Sequence, residues 1–360
     1  MYPTLFSSFD LGRLTLPNRM VMAPMTRSRA DQDHTPTALM AEYYGQRASG
    51  GLLITEGVAP TANGCGYARI PGIWSEEQTD AWAQIADAVH AKGGRIAMQL
   101  MHTGRVGHPH NMPEGARILA PSQSTLSGEM YTDEQGPQPY PAAEEMEEAE
   151  IQAAIAGFVQ AGKNAIEAGF DLVEIHGANG YLVDQFLSPC TNLRADAWGG
   201  SIENRARFAL QVAQSLVAAI GADKVAIRLS PGGVFNDIQS WPEQEDDFVW
   251  LAGELGKLEL AYLHLVDHSA MGAPPPPEGI KQAMRRAFDG PLILSGGYSA
   301  QSAEADLAAG KGELVAFGRP WISNPDLPER YKAESPLNDP DFSTFYTPGA
   351  KGYTDYPSMG

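Results

Sequence analysis

Short, nearly continuous apolar runs recur along the chain and alternate with longer stretches of helical period. Eight such runs are present: Arg19–Ala23, Leu52–Glu56, Arg95–Leu100, Leu172–His176, Val225–Leu229, Tyr262–Val266, Leu292–Ser295 and Leu314–Phe317. Runs apolar on both sides of the backbone predict strands buried on both faces, and strands separated by helices predict repeated βα units with a parallel sheet. Eight units predict a closed (β/α)8 TIM barrel.

The helices between the runs are legible by spacing. Ile202, Ala206, Ala209, Ala213, Leu216 and Ile220 step by three and four residues to a stop at Gly221, which predicts one helix against the barrel wall. Ser75 and Gln78 have capping-box spacing ahead of Trp82, Ile85 and Val89. The acidic run from Glu144 to Glu150 suits the positive end of a helix carrying Ile151, Ile155, Phe158 and Ile166. Two features break the repeat. Phe6 to Pro17 reads as an N-terminal hairpin closing the barrel floor. A long Pro-, Gly- and Ser-rich connection after the third strand, from about Thr103 to Tyr140, reads as a lid-like insertion, because structureless loops of that length are uncommon unless they serve a site. The Pro274–Pro277 run forms a stiff loop after the sixth strand.

A length of 360 residues fits one such barrel, so a single domain spanning 1–360 is expected. Composition narrows the function classes. The net charge of −19 repels phosphate backbones and anionic lipid, which argues against nucleic-acid and membrane partners. Cys65 and Cys190 match no redox, zinc or iron–sulfur spacing, so no metal site is expected. The opening Met1-Tyr2-Pro3-Thr4-Leu5-Phe6 has no secretory pattern, and the cytoplasm is the default compartment.

In parallel barrels the chemistry gathers at the carboxyl ends of the strands. Those ends here carry Ala23-Pro24-Met25-Thr26, Gly57, Gln99, His176 through Tyr181, Arg228, Ser295-Gly296-Gly297 and Gly318-Arg319. A flavin ring needs donors and acceptors along one edge and a positive charge for its anionic reduced form, and Thr26, Gln99 and Arg228 are of the right chemical types. The glycines after strands seven and eight, with Arg319, stand where barrels bind phosphate through closely approaching backbone N–H groups. His176 and Asn179, three residues apart beyond a buried strand, suit donation to one substrate oxygen, and Tyr181 suits proton delivery. A flavin-free phosphate-binding lyase or isomerase is the rival from another enzyme class; Glu56 and Glu174 lie in or at the end of strands and suit its acid–base role or a structural one equally. It would want a strand-end lysine, and none stands there. A non-enzymatic binding barrel would leave these polar residues without purpose.

At these residues the chain resembles the Old Yellow Enzyme family, in particular its bacterial ene-reductase and nitrate-ester or xenobiotic reductase branch. The resemblance runs nearly end to end, through Asn18-Arg19 with Met22-Ala23-Pro24-Met25-Thr26-Arg27, Gln99-Leu100 before His102-Thr103-Gly104-Arg105, and His176-Gly177-Ala178-Asn179-Gly180-Tyr181-Leu182. It continues through Asn192-Leu193-Arg194, Gly199-Gly200-Ser201-Ile202-Glu203-Asn204-Arg205 and Phe317-Gly318-Arg319-Pro320. It implies tightly bound FMN, NADPH or NADH as electron donor, and electron-poor small-molecule substrates reduced at an activated C=C bond in ping-pong fashion. Reduction of nitrate esters or nitroaromatics is the alternative main activity. Residue by residue, it implies that Ala23, Pro24, Thr26, Gly57, Gln99 and Arg228 surround the ring, while Gly297, Gly318 and Arg319 hold the phosphate. His176 and Asn179 would bind the substrate oxygen, Tyr181 would donate the proton, and Tyr67 and Tyr346 would line the pocket. Met101 stands where many relatives carry tryptophan, so substrate range is not copied from them. A monomer is expected from the same resemblance.

Overall fold

The computed structural model describes residues 1–359. Its strands are β1 (Phe9–Leu11), β2 (Leu14–Leu16), β3 (Met20–Met22), β4 (Leu52–Val58), β5 (Ile96–Leu100), β6 (Leu119–Ala120), β7 (Glu129–Thr132), β8 (Gly136–Pro139), β9 (Glu144–Glu145), β10 (Leu172–Gly177), β11 (Val225–Leu229), β12 (Leu263–Leu265), β13 (Leu292–Ser295) and β14 (Leu314–Phe317). Strands β3, β4, β5 and β10 to β14 close into one all-parallel eight-stranded barrel. These are the eight runs read from the sequence, with ends moved by up to two residues. The helices are α1 (Ala38–Gln46), α2 (Glu76–His90), α3 (Glu148–Glu167), α4 (Leu182–Leu187), α5 (Ile202–Arg205), α6 (Arg207–Ile220), α7 (Gln244–Gly256), α8 (Ile280–Ala287), α9 (Ala300–Ala308), α10 (Arg319–Ser323) and α11 (Leu327–Ala333).

Side chains alternate along the barrel strands, and the alternation divides the core in two. Leu52, Ile54, Ala97, Leu172, Ala226, Tyr262, Ile293, Leu314 and Ala316 fill the barrel interior with Leu11 and Leu16 of the N-terminal hairpin, which plugs the floor as expected. Their neighbours Leu53, Met98, Val173, Ile175, Ile227, Leu263 and Val315 point outward into the larger core shared with the helices. The interior cluster is apolar at the floor, and the chemistry of such barrels belongs to the opposite end.

Three readings are corrected. The helix spanning Ile202 to Ile220 is two helices, α5 and α6, meeting at Ala206; the i, i+4 backbone bond from Ala206 to Ile202 persists, so the apolar face stays continuous across the junction. Glu144 and Glu145 do not open a helix but pair as β9 with β6; the helix begins at Glu148, where Glu147 and Glu150 form a capping box. The insertion after the third strand is not structureless: it carries the antiparallel hairpin β7–β8. Met130 of that hairpin packs with Val106 and Leu126 against Tyr67, Tyr140 and Tyr181. Ser127 donates its N–H and its O–H to Asp237 at 2.8 and 2.9 Å, tying the insertion to the loop beyond β11. The Ser75–Gln78 capping box forms as read.

The C-terminal segment returns across the mouth, held by three buried arginines through its carbonyls. Arg27 donates to the carbonyls of Phe345 and Gly352, Arg29 to those of Thr344, Phe345 and Lys351, and Arg47 to that of Tyr353. Buried guanidinium groups are costly unless their donors are used, and here backbone acceptors use them.

Candidate active site

Strand register sets the composition of the upper layer. Glu174 lies opposite Gln99 on β5, and Arg228 lies between His176 on β10 and His264 on β12. Two residues below, Ala97, Leu172, Ala226 and Tyr262 face the interior, so period two turns Gln99, Glu174, Arg228 and His264 inward as well. On the other side of the barrel the corresponding strand ends carry Ala23, Gly57, Ser295 and Gly318. One half of the layer is therefore polar and the other half lacks large side chains.

That division fits a flat, polar-edged ring. Arg228 is buried, yet its Nε–H has no hydrogen-bond partner among the described residues. Burial lowers the pKa of this guanidinium, and the nearby Glu174 carboxylate opposes that shift. A buried cation with an unused donor calls for an acceptor that the protein does not supply. Opposite it, a Cβ on Gly57 would stand 2.4 Å from Met101 Sδ, so the chain is packed there as closely as glycine allows. Thr26 and Pro24 are half-buried at the end of β3.

Ser295-Gly296-Gly297 and Gly318-Arg319 stand at the ends of β13 and β14. Gly297 has φ of 72°, and a Cβ on it would lie 2.3 Å from Ala270 Cβ, so this turn admits only glycine. The backbone N–H groups of Gly296, Gly297 and Gly318 donate to no backbone acceptor among the described residues. Ser295 is buried, whereas Gly297 and Arg319 are exposed, with the Arg319 guanidinium 5.8 Å from the Phe342 ring centre. Unused backbone donors beside an exposed cation suit an anionic group.

The His-x-x-Asn-x-Tyr segment forms a compact turn at the end of β10. His176 Nδ1 accepts the N–H of Ala178 at 3.3 Å, which leaves its proton on Nε2. Burial, with Arg228 nearby, pushes His176 well below the ordinary histidine value, so the imidazole is neutral. Asn179 adopts φ of 61°, a left-handed conformation that asparagine tolerates, and its amide Oδ1 is buried without a partner among the described residues. Its N–H donates to Ser230 Oγ at 3.0 Å and its carbonyl accepts from Asn236 Nδ2 at 2.7 Å. Gly180 N–H donates to Asp184 Oδ2 at 2.8 Å. Tyr181 packs edge-on against His176, with ring centres 4.9 Å apart, and its hydroxyl lies 3.0 Å from that of Tyr67. Burial pushes the Tyr181 phenol up to about 12, against the hydrogen bond shared with Tyr67, which lowers it.

Met101 is buried in a cluster with Cys65 and Ile70 that also contacts Tyr67 and Tyr181. Tyr346 is 62% exposed. Its carbonyl accepts from Arg69 Nη2 at 2.8 Å, and Arg69 also pairs with Asp133 beside the β7–β8 hairpin. The structure thus gathers His176, Asn179, Tyr181, Tyr67 and Met101 on one side of the mouth, with Tyr346 on the solvent edge.

Sequence reasoning missed the supports of this site. Glu174, weighed only as a lyase acid or a structural residue, accepts from Gln99 Nε2 at 2.7 Å and from His264 Nδ1 at 2.9 Å in a fully buried cluster. The available signal was alternation: Glu174 stands two residues before His176, and His264 two after Tyr262. Asp184, Ser230 and Arg69 act through loop geometry that spacing does not encode.

Comparison with known proteins agrees with this geometry. The family described as NADH:flavin oxidoreductase / NADH oxidase matches residues 4–338. A chanoclavine-I aldehyde reductase of Penicillium roqueforti (strain FM164) is 45% identical, over 98% of this chain and 95% of its own length. The solved structure of morphinone reductase in complex with tetrahydroNAD superimposes with a TM-score of 0.94 at 44% identity, covering 99% of this chain and 98% of that one. The Old Yellow Enzyme homologue from Zymomonas mobilis gives a TM-score of 0.95 at 40% identity, covering 99% of this chain and all 100% of its own. The chain belongs to the NADH:flavin oxidoreductase / NADH oxidase family and is an FMN-dependent oxidoreductase of the Old Yellow Enzyme type.

Proposed function

We propose that this protein reduces activated C=C bonds of α,β-unsaturated carbonyl or nitro compounds with electrons from NADPH or NADH, and that the residues at the barrel mouth divide the work as follows. Gln99, Arg228 and Thr26 hold the edge of the FMN ring, with Ala23, Pro24 and Gly57 beside its plane. Ser295, Gly296, Gly297, Gly318 and Arg319 hold the phosphate. FMN supplies the hydride acceptor and donor between nicotinamide and substrate.

The chain's own part in the substrate step is electrostatic and acid catalysis. His176, neutral and protonated on Nε2, donates to the substrate oxygen together with the Asn179 amide, and these donors stabilise the negative charge that develops there. Tyr181 delivers a proton to the α-carbon, with Tyr67 hydrogen-bonded behind it. Met101, Tyr67 and Tyr346 shape the pocket for flat conjugated substrates. The observation that carries this reading is the contact of His176 with Tyr181 at the mouth of a barrel whose buried Arg228 donor is unused.

One pocket serves nicotinamide and substrate in turn, which makes the kinetics ping-pong. Parallel initial-rate lines with NADPH and an enone support the reading, and intersecting lines contradict it. The proposal takes the chain as a single-domain monomer acting in the cytoplasm; a dimeric mass by sedimentation would overturn the monomer.

A further inference from the structure

Beneath the proposed ring-binding edge lies a buried network that the substrate step does not use. Glu174 is fully buried on β10, and its two carboxylate oxygens are divided between neighbours on different strands: Oε1 accepts from Gln99 Nε2 at 2.7 Å and Oε2 is 2.9 Å from His264 Nδ1. Burial works against its ionisation, but His264, Arg228 and Gln99 together hold its pKa below the ordinary glutamate value. The carboxylate is therefore charged, and a charged carboxylate only accepts hydrogen bonds.

Two consequences follow from the chemistry. Because Glu174 only accepts, the Gln99 amide must turn its NH₂ inward, which leaves Gln99 Oε1 as the free acceptor. Glu174 also neighbours Arg228 across the β10–β11 pair, in register with Ala226 two residues before it, and its carboxylate opposes the effect of burial on that guanidinium, whose Nε–H has no partner among the described residues. One side chain thus fixes the polarity of one ring-facing residue and balances the charge of another.

We propose that Glu174 is a positioning residue for flavin: it holds Gln99 with its carbonyl directed away from the carboxylate and supplies the counter-charge to Arg228, and so sets both the affinity for FMN and the flavin midpoint potential. The inference rests on the FMN reading above. A neutral residue at this position leaves the charge of Arg228 unopposed, which favours the anionic reduced flavin and raises the potential. It also releases the orientation of Gln99, since a neutral amide partner offers both a donor and an acceptor.

The test compares wild type, Glu174→Gln and Glu174→Asp, each reconstituted with FMN, by midpoint potential and by FMN dissociation constant. Glu174→Gln is expected to shift the potential upward and to weaken FMN roughly ten-fold, as loss of a hydrogen bond to a charged group does. Glu174→Asp keeps the charge but is one methylene short of Gln99, so it is expected to weaken FMN while the potential stays near wild type. An unshifted potential in folded, FMN-bearing Glu174→Gln overturns the proposal. If Glu174→Gln yields no folded protein, Glu174→Asp decides, and an FMN affinity equal to wild type overturns it. Wild type that binds no FMN would instead sink the reading on which the inference rests.

Discussion

The hydroxyls of Tyr67 and Tyr181 lie 3.0 Å apart, with the two rings edge to face. The hydrogen bond with Tyr67 lowers the Tyr181 phenol against the upward push of burial, and with Tyr67 as donor it stabilises phenolate character on Tyr181 while leaving the Tyr181 proton free for the substrate. Tyr67→Phe is therefore expected to make Tyr181 a weaker acid and slow enone reduction by about ten-fold, a fraction of the ~10²–10⁴ attributable to general acid catalysis. Anaerobic stopped-flow separates the halves: reduction by NADPH should keep its rate while reoxidation by enone slows. Equal slowing of both would contradict a role in proton delivery.

His176 and Asn179 are assigned to the substrate oxygen and not to the flavin. In the double variant His176→Ala with Asn179→Ala, phenol binding weakens and the oxidative half slows by at least about a hundred-fold, on the scale of losing an oxyanion donor. FMN content stays that of wild type. Release of FMN from the purified variant would show the pair misassigned.

Burial pushes the Asp184 carboxyl up to about 7, against the bonds it accepts from Gly180 and Ser230. An acid whose folded pKa exceeds its unfolded value of about 3.9 binds its proton more tightly in the native state. Its linkage term therefore costs stability as pH rises from about 4 to about 7, by about 1.4 kcal/mol for each unit of pKa difference at most. Asp184→Asn removes this term, so its Tm should fall less steeply than that of wild type across the window. Glu56, also pushed up to about 7 by burial, leaves a residual slope in both proteins. Parallel melting curves across that range would contradict the assignment.

Met101 packs against Tyr67 and Tyr181, and its Sδ abuts Gly57. Met101→Trp puts a rigid indole where a flexible thioether now fills the space, and the change falls on the pocket wall. Product ratio or relative rates across several enones should change more than flavin content. Unchanged kinetics across the series would remove Met101 from the substrate pocket.

The barrel was legible because its strands are buried on both faces and so read as apolar runs; β11, β13 and β14 keep the ends read from Val225–Leu229, Leu292–Ser295 and Leu314–Phe317. The contact between His176 and Tyr181 was legible from local spacing after one strand. Less was legible where position depends on distant chain. Tyr346 is brought to the mouth by Arg27, Arg29 and Arg69 gripping carbonyls more than 270 residues away, which no local pattern records. The β7–β8 hairpin was hidden because Pro137 and Pro139 lie in a strand that pairs on one side only, where the missing N–H is tolerated. Glu174 and His264 were hidden by their setting, since a charged residue inside an apolar run gives no sign of its partner until register places the strands side by side.

The central claim is that this barrel carries FMN between a nicotinamide donor and an electron-poor substrate. The most direct test is the absorption spectrum of the purified protein, recorded anaerobically before and after NADPH and again after cyclohexenone. The account predicts a flavin band that bleaches with NADPH and returns with the enone. A protein that holds no flavin and takes up none from added FMN, or a bound flavin that NADPH leaves oxidised, would contradict it.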